Sequence, residues 1–221
     1  MKLKSMMTAA ALAVATISGG AASAATLSGA FYDVGGYTSC CSGTTSPGTP
    51  IDTATEALAY VLANAPTATF QATNISYNMT GSYSIPTLGG FLGADAASLS
   101  SGAATSFLGS ILTFTGTINL LAGNNLFNII SDDGFVLFIN NAEVGRFEGL
   151  RAPSDSNINV ASAGGNADFR LVYFEGSASQ AALQVKLNGS KLAAVPLPAG
   201  GLLLIGALGG LAALRRRRNQ A

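Results

Sequence analysis

Hydrophobic and polar residues alternate with a period of two over much of the second half of the chain. In "ILTFTGTINLL", which starts at Ile111, Leu112, Phe114, Ile118 and Leu120 share one face and threonines the other. That is the pattern of a half-buried strand. "NLFNII" and "FVLFIN" follow, separated by "SDDG". Asn140 and Asn141 tolerate the positive φ of a tight hairpin turn, which makes "EVGRF" the return strand. "DFRLVYFEG" alternates Phe169, Leu171 and Tyr173 against Arg170, Val172 and Phe174, and "AALQVKLNG" turns Leu183, Val185 and Leu187 inward. Nearer the N-terminus, "AFYDVGG" and "ATFQATNISYNM" also read as strands. Between them the period becomes helical in "DTATEALAYVLANAP". Thr53 and Glu56 have capping-box spacing. Ala57, Leu58, Tyr60, Val61 and Leu62 supply an apolar face, and Pro66 lies past the end. "GGFLGADAASLSSGAA" reads as loop or short turn, with Asp95, Ser98 and Ser100 either a small cation cluster or surface polarity. The stretches Gly35–Pro50 and Glu148–Asp168 read as loops. Short strands at hairpin spacing predict an all-β fold, an antiparallel sandwich with one short helix.

The two ends follow another pattern. Lys2 and Lys4 precede the apolar run "MMTAAALAVATISGG" and the small residues "AASA". This order predicts a secretory signal peptide over residues 1–24, with Ala22 and Ala24 at the cleavage site. At the other end no charge occurs from Leu192 to Leu214. Pro196 and Pro198 confine a helix there to Ala199–Leu214, roughly 24 Å long against a hydrocarbon core of roughly 30 Å. Arg215, Arg216, Arg217 and Arg218 can snorkel to cover the difference and are expected to anchor the tail on the cytoplasmic side. The chain is thereby divided into residues 1–24, a sandwich domain over 25–192, and a tail over 193–221.

With both ends set aside, the zero formal charge of the whole chain no longer describes the exported part. That part keeps five cations (Arg146, Arg151, Arg170, Lys186, Lys191) and all eleven acids, so its net charge is 5 − 11 = −6. Such a balance disfavours nucleic acid and anionic lipid as partners and suits cations such as calcium. The absence of histidine excludes Ser-His-Asp and Cys-His catalysis and the usual zinc sites. No enzyme is expected, although paired carboxylates are all a glycosidase needs. The two cysteines, Cys40 and Cys41, are neighbours. Consecutive Cα atoms lie near 3.8 Å apart, closer than a relaxed disulfide wants, which leaves a strained vicinal disulfide and free thiols both open.

Two resemblances carry the reading further. "VPLPA" (Val195, Pro196, Leu197, Pro198, Ala199), then an apolar helix, then an arginine cluster resembles the VPLPA-CTERM variant of the PEP-CTERM sorting signal. "LPAGG" also begins like a sortase signal of the LPxTG kind, but this chain lacks the threonine that sortases cleave after. The resemblance implies processing by an exosortase, transient anchoring in the inner membrane, and final residence in the envelope or matrix with exopolysaccharide. Second, "F-x-G-x-I … F-x-I-x-SDDG-F-x-L-x-I-N … L-x-Y-x-E … A-x-L-x-V", from Phe114 to Val185, resembles the protective-antigen-type (PA-fourteen) domain, a jelly-roll type of β-sandwich. In lectin members of that family a cis-linked aspartate pair binds calcium, which holds sugar hydroxyls. Asp132 and Asp133 match the pair. The family's further ligand, an asparagine on a later loop, is matched by Asn157, Asn159 or Asn166. Arg146, Glu148, Arg151 and Asp155 are rim groups or plain solvated loop, and "SDDG" is equally good turn chemistry. The expected function is polysaccharide binding by an exported envelope protein, with a ligand-free structural matrix protein as the alternative.

Overall fold

The computed structural model describes residues 26–37, 49–79, 87–177, 180–192 and 194. The signal segment 1–24, Cys40, Cys41, the motif Val195–Ala199, the helix expected over Ala199–Leu214 and Arg215–Arg218 lie outside the described residues. Among the described residues, no helix is long and apolar enough to cross a membrane.

The chain runs β1 (Leu27–Asp33), α1 (Ala54–Ala63), β2 (Ala68–Ala72), β3 (Ser76–Tyr77), α2 (Leu88–Leu92), a 3-10 helix (Gly93–Ser98), β4 (Ser110–Asp132), β5 (Phe135–Ile139), β6 (Ala142–Phe147), β7 (Ser154–Glu175), β8 (Ala182–Leu187) and β9 (Ser190–Lys191). Each of the strand ladders is antiparallel, as the alternation predicts. Helix α1 starts where expected: Thr53 Oγ1 accepts from the Glu56 amide, and Glu56 Oε2 accepts from the Thr53 amide. Its apolar face is narrower than expected, since Leu62 is 73% exposed.

Three expectations are corrected. The segment taken as loop before β4 forms α2 and the 3-10 helix. Its three glycines lower helix propensity, but Leu88, Phe91 and Leu92 are all buried, and the Thr87 hydroxyl caps the Gly90 amide. The described residues therefore hold two α-helices rather than one. Asp95 is not surface polarity. It is buried, and its carboxylate accepts from the Thr73 amide, the Thr73 hydroxyl and the Tyr77 hydroxyl. Finally, Glu148–Asp168 is mostly not a loop. From Ser154 onward it is β7, paired along β4 from Ser131↔Ser154 to Ser110↔Glu175.

That β4–β7 ribbon organises the molecule. The first half of β4 pairs with β1 and its second half with β8, while the second half of β7 also pairs with β5. The two halves of the ribbon belong to opposing layers. Tyr77, on β3 beside β8, stacks on Phe114 of the first half of β4, with centroids 5.9 Å apart. Between the layers lies the main core, with Phe91, Phe107 and Tyr173 stacked at its centre. A second cluster fills the outer face under α1: Val172 and Phe174 pack with Ile111, Val136, Ala54 and Ala57.

The ribbon turns its corner near Leu121. The ladder pairs Leu120 with Gly165 and Ala122 with Ala163, leaving Leu121 and Gly164 without a ladder partner. Gly164 and Gly165 have φ of +91° and +99°, values open to glycine because it has no Cβ. The inward positions change parity across this corner. They are 118 and 120 before it on β4, and 127 and 129 after it. Asn125, fully buried, replaces the missing ladder: its Oδ1 accepts from the Leu121 amide and its Nδ2 donates to the Leu121 carbonyl, both at 2.9 Å. Asn125→Ala leaves both backbone groups without that partner, and about 2 kcal/mol of stability is expected to be lost in urea unfolding.

Candidate functional site

Closure of the ribbon brings together three carboxylates. Asp132 ends β4, Asp133 begins the turn into β5, and Glu175 ends β7. One oxygen from each lies within 4.8 Å of the others, and all three residues are buried, at most 1% exposed. The Asp132–Asp133 peptide is cis, as the resemblance implied. Gly134 follows because the chain there passes against other groups. A Cβ at this position would lie 2.4 Å from the Phe174 ring and 2.6 Å from the Phe147 carbonyl oxygen.

Backbone groups and three side chains brace the cluster. Asp133 Oδ1 accepts from the Arg151 amide at 2.8 Å and Oδ2 from the Gly176 amide at 2.9 Å. Glu175 Oε1 accepts from the Ser177 amide at 3.1 Å. The Tyr173 hydroxyl donates to the Asp132 carbonyl, and it stands 3.3 Å from Glu175 Oε2. The Arg151 guanidinium donates to the Ser131 carbonyl, the Ser131 hydroxyl and Ser156 Oγ, and lies 4.0 Å above the Phe147 ring. Ser131 Oγ in turn donates to the Asp133 carbonyl at 2.6 Å. Asp132 Oδ2 is the exception: it is buried and has no hydrogen-bond partner.

Burial disfavours every negative charge here. It raises Asp132 to about 8, helped by repulsion from Asp133. Burial also raises Asp133, against the lowering effect of the Arg151 and Gly176 amides. Glu175 is pushed well above the usual carboxylate range, first by burial and then by the two aspartates. Arg151 is lowered by burial although Asp132, Asp133 and Asp155 pull the other way. A set of hard oxygen donors that repel one another, one of them unpartnered, fits a divalent hard cation such as calcium.

The other expected residues go elsewhere. Asn157, Asn159 and Asn166 are on β7, not on a loop. They stand opposite Asn128, Leu126 and Asn119, so the nearest is four positions along β4 from Asp132, about 13 Å. Asn128 Nδ2 donates to Asp155 Oδ1 and Asn157 Oδ1, and Asn119 Nδ2 to Asn166 Oδ1. The structure therefore does not bring these asparagines to the carboxylates. Arg146 pairs with Glu143 and Glu148 on the surface, and Glu148 Oε1 accepts from the Thr55 amide at the start of α1. Of the expected rim groups only Arg151 reaches the site. Glu175 carries no chemistry of its own in the sequence pattern. Its one sequence signal is the "L-x-Y-x-E" spacing that puts it and Tyr173 on one face of β7.

Comparison with known proteins bears on this arrangement. No protein-family model matches the chain, and no curated protein matches it. Among solved structures, it is similar to a PA14 sugar-binding domain from an RTX adhesin, with 25% identity and a TM-score of 0.58 over 76% of this chain and 97% of that one. It also has the fold of the PA14 domain of the MpAFP antifreeze protein, with 19% identity and a TM-score of 0.60 over 77% and 91% of the two chains.

The raised carboxylates set the pH response of the metal-free protein. Between the usual carboxylate value near 4 and about 8, the folded state keeps a proton on Asp132 that the unfolded chain has released. Stability in chelator should therefore fall as pH rises through that window, with a slope approaching about 1.4 kcal/mol per pH unit for one proton. Urea melts at pH 5 and pH 8 measure it, and Asp132→Asn should reduce the slope by that one proton's share, leaving what Asp133 and Glu175 contribute.

Proposed function

We propose that this protein is an exported carbohydrate-binding module whose Asp132, Asp133 and Glu175 hold calcium. The observation that carries the reading is the convergence of three buried carboxylates with Asp132 Oδ2 left unpartnered. A bound cation satisfies that oxygen and offsets the burial and mutual repulsion that otherwise keep the acids protonated. The likeness to a domain described as sugar-binding, at 25% identity over most of both chains, supports carbohydrate as the ligand class. Calcium supplies coordination positions that neighbouring sugar hydroxyls can fill. The chain's part is to hold the carboxylates rigidly: the Arg151 and Gly176 amides fix the Asp133 carboxylate, while Ser131 and Tyr173 hold the backbone carbonyls of Asp133 and Asp132 before any ligand arrives.

The reading includes the jelly-roll sandwich and the ends of the chain. Residues 1–24 direct export, and Val195–Ala199 with the following helix and Arg215–Arg218 direct exosortase processing, which leaves the domain in the envelope beside exopolysaccharide. It assigns no catalytic role. A second reading, a structural matrix protein with no specific ligand, is favoured by one observation: the carboxylates are at most 1% exposed, so an ion there would be enclosed and purely stabilising.

Calcium at about a hundredfold over its dissociation constant should raise Tm by about 5 °C or more. Asp132→Asn, which has no hydrogen bond at Oδ2 to lose, should abolish the rise. Absence of any calcium-dependent shift would overturn the cation site. Glycan-array binding present with calcium and lost in chelator supports the lectin reading, whereas a Tm shift with a blank array supports the matrix reading. Intact-mass measurement of the protein from cells should show loss of residues 1–24 and of the tail beyond the VPLPA motif.

A further inference from the structure

On the outer face of the sheet, away from the carboxylates, a cavity of about 290 Å³ is lined by Thr115, Thr117, Asn141, Asp168 and Arg170 among others. Alternate residues of a strand share a face, so Arg170 follows Phe174 and Val172 outward along β7. Helix α1 covers those two but not Arg170, which is the first position beyond its apolar cluster. The register pairs Thr115 with Arg170 and Thr117 with Asp168, giving a two-by-two patch of hydroxyl, guanidinium, hydroxyl and carboxylate. Asn141, in the hairpin between β5 and β6, closes one side.

Two charges in this patch are unspent. The Arg170 guanidinium lies 4.2 Å above the Phe138 ring, which fixes its plane, and its Nε is enclosed without a hydrogen-bond partner. Among the described residues Arg170 makes no ion pair, and neither does Asp168 beside it; the ion pairs there belong to Arg146. Asp168 is held by its backbone instead, its amide donating to Asn140 Oδ1 and its carbonyl accepting from the Asn140 amide. The carboxylate is thus positioned without being used. Residues two apart on a strand are about 7 Å apart, comparable with the span of one pyranose ring from a C5 carboxylate to a C3 hydroxyl.

We propose that this cavity is a second, metal-independent saccharide site that takes an acidic sugar residue, a uronate. Arg170 pairs with the sugar carboxylate, Asp168 accepts from ring hydroxyls on the far side, and Thr115, Thr117 and Asn141 complete the hydroxyl contacts. A stacked guanidinium is suited to carboxylate because its planar fork offers two parallel donors. The site goes beyond the calcium reading and does not depend on it.

The test is saturation-transfer difference NMR on the full chain, with glucuronate as probe, glucose as its neutral control and chelator present throughout. Glucuronate should bind and glucose should bind at least about tenfold more weakly. Arg170→Gln should weaken glucuronate about tenfold or more. Thr117→Tyr fills the cavity from an outer-face position that suits an aromatic in a strand, and should abolish the signal even where Arg170→Gln proves unstable. Equal binding of glucose, or glucuronate binding unchanged in Thr117→Tyr, overturns the proposal. Asp132→Asn should leave glucuronate binding intact, so failure of the calcium site and failure of this one are read separately.

Discussion

Asp132 and Glu175 lie at opposite ends of the same pair of strands, and the fold depends on bringing them together. Glu175 pairs with Ser110 and Asp132 lies 22 positions further along β4. In a flat ribbon the two acids would stand roughly 70 Å apart, yet their oxygens share a space 4.8 Å across. The ribbon must therefore turn back on itself, and the corner at Leu121 is where it does so. Closure stacks Tyr77 on Phe114 and forms the main core between the two halves. The corner, the core and the acidic cluster are one event, since none of them forms in an open ribbon.

Closure carries an electrostatic cost, and the side chains around the cluster show how it is limited. Three carboxylates removed from water would repel one another strongly if all were ionised. Asp133 is relieved by the Arg151, Gly176 and Ser177 amides and Glu175 by the Ser177 amide. Asp132 receives nothing at Oδ2. Arg151 is near enough to feel the charge, but its guanidinium is engaged by Ser131, Ser156 and the Phe147 ring. It braces the loop instead of neutralising Asp132. The surroundings thus hold the acids in place and leave the last compensation to a proton or to a cation. An arrangement meant only as a turn would have no reason to bury a third acid beside the aspartate pair.

Much of this was legible in the sequence, and the misses have physical reasons. Strong alternation revealed β1, β2, β5, β6 and β8, the first half of β4 and the second half of β7, and the Thr53–Glu56 pair marked α1. The first half of β7 was hidden because "SNINVASAGGNAD" has only Ile158 and Val160 as large apolar residues, and because inward parity inverts at Gly164 and Gly165. A strand whose inward face changes parity reads as two fragments or as a loop, and that misreading placed Asn157, Asn159 and Asn166 on a loop. Helix α2 was hidden by its glycines. The aspartate pair could be read from "SDDG" through a family resemblance. Glu175 could not, because its partnership with Asp132 comes from chain closure, and no local pattern encodes that.

The two proposed sites use one strand in opposite directions. Glu175 belongs to the inward-facing odd positions of β7 and Arg170 to the outward-facing even ones, about 17 Å apart along the strand. The inward site is closed, and its chemistry needs the exclusion of water, since desolvation is what makes the carboxylates favour a counter-ion. The outward site is open, and its chemistry needs a charge that folding has not consumed. On the calcium reading a single polymeric saccharide would reach both, one through the ion and the other through Arg170. Binding at one raises the effective concentration of sugar residues at the other, because the closed ribbon fixes the distance between them and the ligand itself is the linker. Individually weak sites on such a body would together retain a polysaccharide that neither would hold alone.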